Sequence, residues 1–202
     1  MKNLVLLFSL FSSLAFSQYY ATYKLIESPE KDFNIIAIWE KPNKDYTLRI
    51  EVPSKESYEK VFIDLNKKEL SKFKSLMDLS FTKYKEWKKV AEENNVEKIT
   101  KKINNEMVFL PASFISSLDN NLQFAKLAIA DFYFAKEKEI SLLIVQNPTE
   151  LKSNNYNSYR TSKGYTLIFT SEKEIEDFIS LLDEQKIIDF LNGKTRESEL
   201  FK

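Results

Sequence analysis

The sequence predicts an α+β fold: an antiparallel sheet built from hairpins, with two amphipathic helices packed on it. Three observations carry this. Short apolar runs of period 2 come in hairpin-like pairs, and in two places the period changes abruptly to 3.6. With only two Gly in the chain, the Gly-rich turns and regular strand–helix alternation of a doubly wound parallel sheet are missing.

The chain opens MKNLVLLFSLFSSLAFSQ. Lys2 supplies a short positive region, Leu4 to Phe16 an apolar run, and Ala15 and Ser17 the small residues before a cut, which is the pattern of a secretory signal peptide over residues 1–17. A membrane-spanning helix is the alternative, but it needs about 20 apolar residues, and Gln18, Thr22 and Lys24 end the run too early. The expected product starts near Gln18 as an exported protein, periplasmic or extracellular, with no stable membrane insertion once the signal is removed. With no Cys in the chain there is neither a lipid-attachment site nor a disulfide, so stability must come from packing. The remaining stretch of about 185 residues, with 43% hydrophobic and 14% aromatic residues overall, suits one α+β domain over 18–202.

Phe33–Trp39 and Tyr46–Val52 are β-type runs joined by the turn chemistry of Pro42, Asn43, Lys44 and Asp45. In the second, Tyr46, Leu48, Ile50 and Val52 define the face to be buried. A short strand follows at Val61–Leu65. Asn66 and Glu69 then make a capping-box-like start to a helix over Lys67–Glu93, where Leu70, Phe73, Met77, Tyr84, Trp87 and Ala91 form a stripe widened by Leu76 and Phe81. Asn94–Asn95 closes it. Val96–Leu110 reads as a tight hairpin about Asn104–Asn105, and Leu127–Ala135 with Ile140–Gln146 as another about Lys136 to Glu139. After a loop at Asn147–Pro148 comes a strand at Tyr165–Thr170. Ser171 and Glu174 form a Ser-x-x-Glu capping box opening a second helix on Ile175, Phe178, Ile179 and Leu182, with a break near Asp183 and a stop at Gly193.

The two helix starts, NKKELSKFKSLMD from Asn66 and SEKEIEDFISLLD from Ser171, match at Glu69/Glu174, Phe73/Phe178, Leu76/Leu181 and Asp78/Asp183 among others. A pseudo-twofold duplication of β-β-β-α units, with half-repeats 18–95 and 96–202, accounts for the match. So does convergence, since any capped amphipathic helix after a strand selects these residue types.

The chain has no His, so the commonest general base and transition-metal ligand is missing; with Cys absent too, the usual zinc sites, thiol chemistry and Ser-His-Asp triads are excluded. Gly164 and Gly193 cannot write a P-loop or a dinucleotide fingerprint, and no Asp-x-Asp-x-Asp-Gly calcium loop occurs, so no cofactor and no metal are expected. Ser57-x-x-Lys60 and Ser153-Asn154-Asn155 match two elements of the penicillin-binding set, but Ser162-Lys163-Gly164 fails the third. No catalytic residue is assigned. Among the acids, Asp131 stands out because it interrupts the apolar run LAIADFYF; the alternatives are an outward-facing strand residue or a buried one hydrogen-bonded to neighbouring backbone.

Two features suit binding. The loop SNNYNSYRT is rich in Tyr, Asn and Ser, which makes Tyr156, Asn157, Tyr159 and Arg160 candidate contact residues; simple disorder is the alternative. The first helix carries eight Lys against three acids between Lys67 and Lys89, giving a basic surface of Lys72, Lys83, Lys85, Lys88 and Lys89; Glu172 to Asp189 carries seven acids against two Lys. These opposite fields steer either the two halves together or one molecule onto another, unless both are ordinary solvated faces. With 30 basic and 30 acidic residues overall there is no global field for nucleic acid. The expectation is an exported, non-catalytic binding or accessory protein of the bacterial cell envelope, its partner another envelope protein, a polar small molecule or a glycan. The competing classes are an envelope hydrolase using a carboxylate pair and a self-associating structural protein.

Overall fold

The computed structural model describes residues 18–40, 45–54, 59–103, 108–116, 122–135, 138–146, 149–152, 159–162 and 165–194. The chain begins as an antiparallel meander of β1 (Gln18–Leu25), β2 (Ser28–Glu40), β3 (Asp45–Val52) and β4 (Glu59–Asn66). The period-2 pattern of β3 is realised as expected: Tyr46, Leu48, Ile50 and Val52 are buried. Ile50 lies between Ile35 of β2 and Ile63 of β4 in the register, so branched side chains stack across three strands.

Asn66 is both the last residue of β4 and the cap of α1 (Lys67–Glu93). Its side-chain oxygen accepts the Glu69 N–H at 3.0 Å, and the Glu69 carboxylate accepts the Asn66 N–H at 3.0 Å, a complete capping box. At about 1.5 Å per residue α1 runs about 40 Å, enough to cross the sheet. It stops where Asn95 takes the left-handed conformation at φ 50°. Leu70, Phe73, Leu76, Met77, Ser80, Tyr84 and Ala91 are buried, and Phe81 and Trp87 pack partly buried against the core.

Beyond α1 come β5 (Lys98–Lys102), β6 (Val108–Ser116), β7 (Leu122–Ala135), β8 (Lys138–Gln146), β9 (Thr149–Lys152), β10 (Tyr159–Ser162) and β11 (Tyr165–Phe169). The large sheet has the order β1-β2-β3-β4-β6-β7-β8-β11, with β5 beside β7, while β9 and β10 form a separate two-stranded sheet. The expected hairpin about Asn104–Asn105 is corrected. The turn itself lies outside the described residues, and the strands flanking it do not pair. Each strand has two hydrogen-bonding edges, and β6 uses one for β4 and the other for the first half of β7. β5 takes the free stretch of β7 from Asp131 to Ala135. The second hairpin stands as β7 with β8.

Ser54, just past β3, forms an antiparallel bridge with Tyr165 at the start of β11. The last strand of the order therefore returns to the third, and the sheet curls into a ring of β3, β4, β6, β7, β8 and β11. α1 packs against β3, β4, β6, β7 and β8. The β1–β2 hairpin continues the sheet beyond β3, outside this ring.

The second helical segment is two helices, α2 (Glu172–Ser180) and α3 (Glu184–Leu191), split at Asp183, whose carboxylate caps α3 by accepting the Lys186 N–H at 3.0 Å. Gly193, at φ +78°, ends it. α2 packs on α1 and β11, and α3 on β2. Phe178 meets Tyr23, Phe169 and Phe73 at centroid distances of 5.0, 5.1 and 6.2 Å, joining hairpin, ring and both helices. Both halves run antiparallel strands into a capped helix, but 27 residues in α1 against 9 in α2 leave the likeness at the caps, and duplication is not established by it. Among the described residues no helix is long and apolar enough to cross a membrane.

Candidate binding site

β1 is the end strand of the sheet, and α2 lies beside it, anchored by Phe178 on Tyr23. Between them runs a groove of about 650 Å³, lined on the strand side by Thr22 to Ile26 and Pro29 and on the helix side by residues that include Lys173, Asp177, Phe178 and Leu181. Its volume is in the usual range for ligand clefts. Ile26 is 57% exposed at its mouth.

The groove owes its shape to Glu174. Ser171 caps α2 by accepting the Glu174 N–H at 3.2 Å, but the reciprocal bond of the expected capping box is not made. The Glu174 carboxylate instead accepts the Thr170 N–H at 2.7 Å and, with its other oxygen, the Ile26 N–H at 2.8 Å. Asp177 is paired with Lys173 at 2.9 Å, and Lys24 with Asp32 at 3.4 Å across the hairpin. Glu174 thus ties α2 to the hairpin turn and to the residue after β11, while Asp177 makes an exposed pair within its own helix.

A second polar constellation sits on β2, β3 and β4. Arg49 donates from Nε to Asp64 at 2.7 Å and lies over the Phe62 ring at 5.4 Å. Glu51, buried although its neighbours in sequence suggest an outward position, accepts from Asn34 Nδ2 at 3.0 Å and pairs with Lys31 at 3.4 Å. Sequence alternation alone places Glu51 in solvent; the β2 side chains Lys31 and Asn34 reach across to it.

Of the residues singled out from sequence, Tyr156 and Asn157 lie outside the described residues. The main chain of Tyr159 and Arg160 belongs to β10, paired with Lys152 and Leu151, so the last part of the expected loop is strand. Lys72 is exposed. Lys83 pairs with Glu86 at 2.7 Å, Lys88 with Glu172 at 3.2 Å and Lys89 with Glu93 at 3.8 Å, while Lys85 lies 4.0 Å from the Phe81 ring centre. Lys67 pairs with Glu184 at 2.8 Å. The opposite fields of α1 and the acidic helices therefore meet, at two points, inside one molecule. Asp131 lies on β7 opposite Lys102 of β5; partial burial pushes its carboxyl pKa above the ordinary value and Lys102 works against that.

No groove residue was singled out from sequence as a contact: Ser171, Glu174, Phe178 and Leu181 were read only as parts of the second helix, and on the strand side the one available signal was Ile26 followed by Pro29, an apolar residue beside a turn. Set against models of known protein families, curated proteins and solved structures, the chain matches none.

Proposed function

We propose that this chain is an exported, non-catalytic binding or accessory protein of the bacterial cell envelope, and that it recognises its partner in the groove between β1 and α2. The observation that carries this is the groove itself: a cleft of about 650 Å³ with an apolar floor from Tyr23, Leu25, Phe178 and Leu181 and charged side chains at its rim. Export rests on the N-terminal pattern of Lys2, the apolar run and the small residues Ala15 and Ser17. The non-catalytic reading is supported by the state of the groove acids, since Glu174 is bound through both oxygens to main-chain N–H groups and Asp177 is held by Lys173.

The test is amide chemical-shift mapping of the protein starting at Gln18 against panels of peptides, glycans and small polar acids. Binding that moves the amides of Thr22 to Ile26 and of α2, and that Ile26→Glu weakens, is the expected result. Shifts confined elsewhere, or turnover of chromogenic ester or glycoside substrates that Asp177→Asn abolishes, would replace this reading with another.

A further inference from the structure

We infer that the groove takes an extended peptide of another protein, added as a strand to the open edge of β1, with alternating apolar and acidic side chains. This rests on the groove being the recognition site and names what it recognises.

Four consecutive residues of β1, Thr22 to Leu25, line the groove together with Ile26 of the turn that follows. Successive side chains of a strand point to opposite faces, so a cavity touching all four strand residues must run along the strand's edge and include its main chain. Among the described residues β1 pairs with β2 alone, which leaves main-chain N–H and C=O groups directed to the open side, with the register shifted between Tyr23 and Leu25 and the Ile26 N–H held by Glu174. A chain lying there gains main-chain hydrogen bonds from β1 and side-chain contacts from the wall opposite, the usual division of labour in strand addition. At about 3.3 Å per residue the strand part of the groove accommodates about four peptide residues.

The side chains fix the pattern. On one face of β1, Tyr23 and Leu25 point towards the core with Phe178, and Leu181 continues that wall, so peptide residues on this face are apolar. On the other face, Lys24 has Asp32 as its cross-strand neighbour on the β2 side at 3.4 Å, and no second acid of the described residues is paired with it on the open side. An acidic peptide residue there completes the row, because opposite charges on adjacent strands attract.

The experiment screens a displayed library of random nonapeptides against the protein starting at Gln18, then measures synthetic versions of the enriched sequences by fluorescence anisotropy. Enrichment of alternating apolar and acidic residues is expected, with affinity falling at least about tenfold in Leu181→Glu and in Lys24→Glu, both at surface-accessible positions, with far-UV circular dichroism confirming the fold. N-methylation of alternate peptide amides should abolish binding in one register and spare it in the other, which contacts through side chains alone would not produce. No enrichment, or indifference to N-methylation in both registers, overturns the inference. So does concentration-dependent dimerisation that protects Thr22 to Ile26, which would make a second copy the occupant. If glycans or small acids, and not peptides, move the same amides, the groove remains the recognition site and only the peptide assignment fails; if nothing moves them, both fail.

Discussion

Glu174 accepts the backbone N–H of Ile26 at 2.8 Å, a bond between residues 148 positions apart in sequence. The carboxylate that opens α2 would ordinarily turn back to its own cap residue, as Glu69 does at α1. Here it reaches the turn of the β1–β2 hairpin and, through its second oxygen, the end of β11. One side chain thus fixes the distance between the edge strand and the helix that together form the groove.

Replacing Glu174 by Ala should cost about 2 kcal/mol of stability, since it leaves two N–H groups without charged acceptors, while Glu174→Gln, keeping one carbonyl acceptor, should lose about half of that. Urea unfolding measures the loss. Amide exchange at Ile26 should accelerate in Glu174→Ala more than exchange within β3 does, if the bond is local to the hairpin.

The hydroxyls of Tyr165 and Ser80 are buried and have no hydrogen-bond partner among the described residues. Tyr165→Phe and Ser80→Ala should therefore each raise stability by about 1 kcal/mol, the second helped by the better helix propensity of Ala. A midpoint in urea that moves down for both would show that these oxygens are satisfied in solution.

Burial pushes the phenols of Tyr20 and Tyr84 up to about 12, and those of Tyr23, Tyr46 and Tyr165 higher still. The folded chain keeps protons that the unfolded chain releases near pH 10. Their contribution is complete below that pH and is lost as pH rises through it, by about 1.4 kcal/mol per pH unit for each buried ring. Tyrosinate absorbance at 295 nm should rise in a cooperative step together with the loss of circular dichroism. A smooth titration centred at pH 10 with the fold intact would contradict it.

Asp131 gives the opposite end of the pH scale. Its carboxyl is raised by desolvation, so the folded state favours the protonated form, and the ionised form weakens the fold once pH passes upward through the carboxylate range. Asp131→Asn should raise the melting temperature modestly at pH 7 and leave it unchanged at pH 3. Lys102→Ala should widen the gap between those two pH values, because it removes the cation that opposes the shift.

Much of the fold was legible one strand and one helix at a time. The span of α1 follows from its capping pair, its 3.6-residue stripe and Asn95, all within hydrogen-bonding or side-chain reach along the chain, and β3 shows its buried face as plain alternation. Pairing was harder. Nothing near Asn104–Asn105 reveals that β6 has both edges occupied, because the competing strand, β4, lies about 50 residues away. The candidate site was mostly hidden for a related reason. Tyr, Asn and Lys attract notice by type, whereas Thr22, Leu25 and Leu181 are unremarkable until the hairpin and α2 are laid side by side.

Local chemistry along the chain was enough to settle α+β class, both helix starts, the break at Asp183 and the lack of His, Cys and Gly-rich motifs, since each depends on residues a few positions apart. The closing of the sheet through Ser54 and Tyr165, the burial of Glu51, the meeting of Lys88 with Glu172 and the diversion of Glu174 to Ile26 arose only when distant segments packed. A carboxylate takes the best donors within reach, and which donors those are is a property of the assembled molecule.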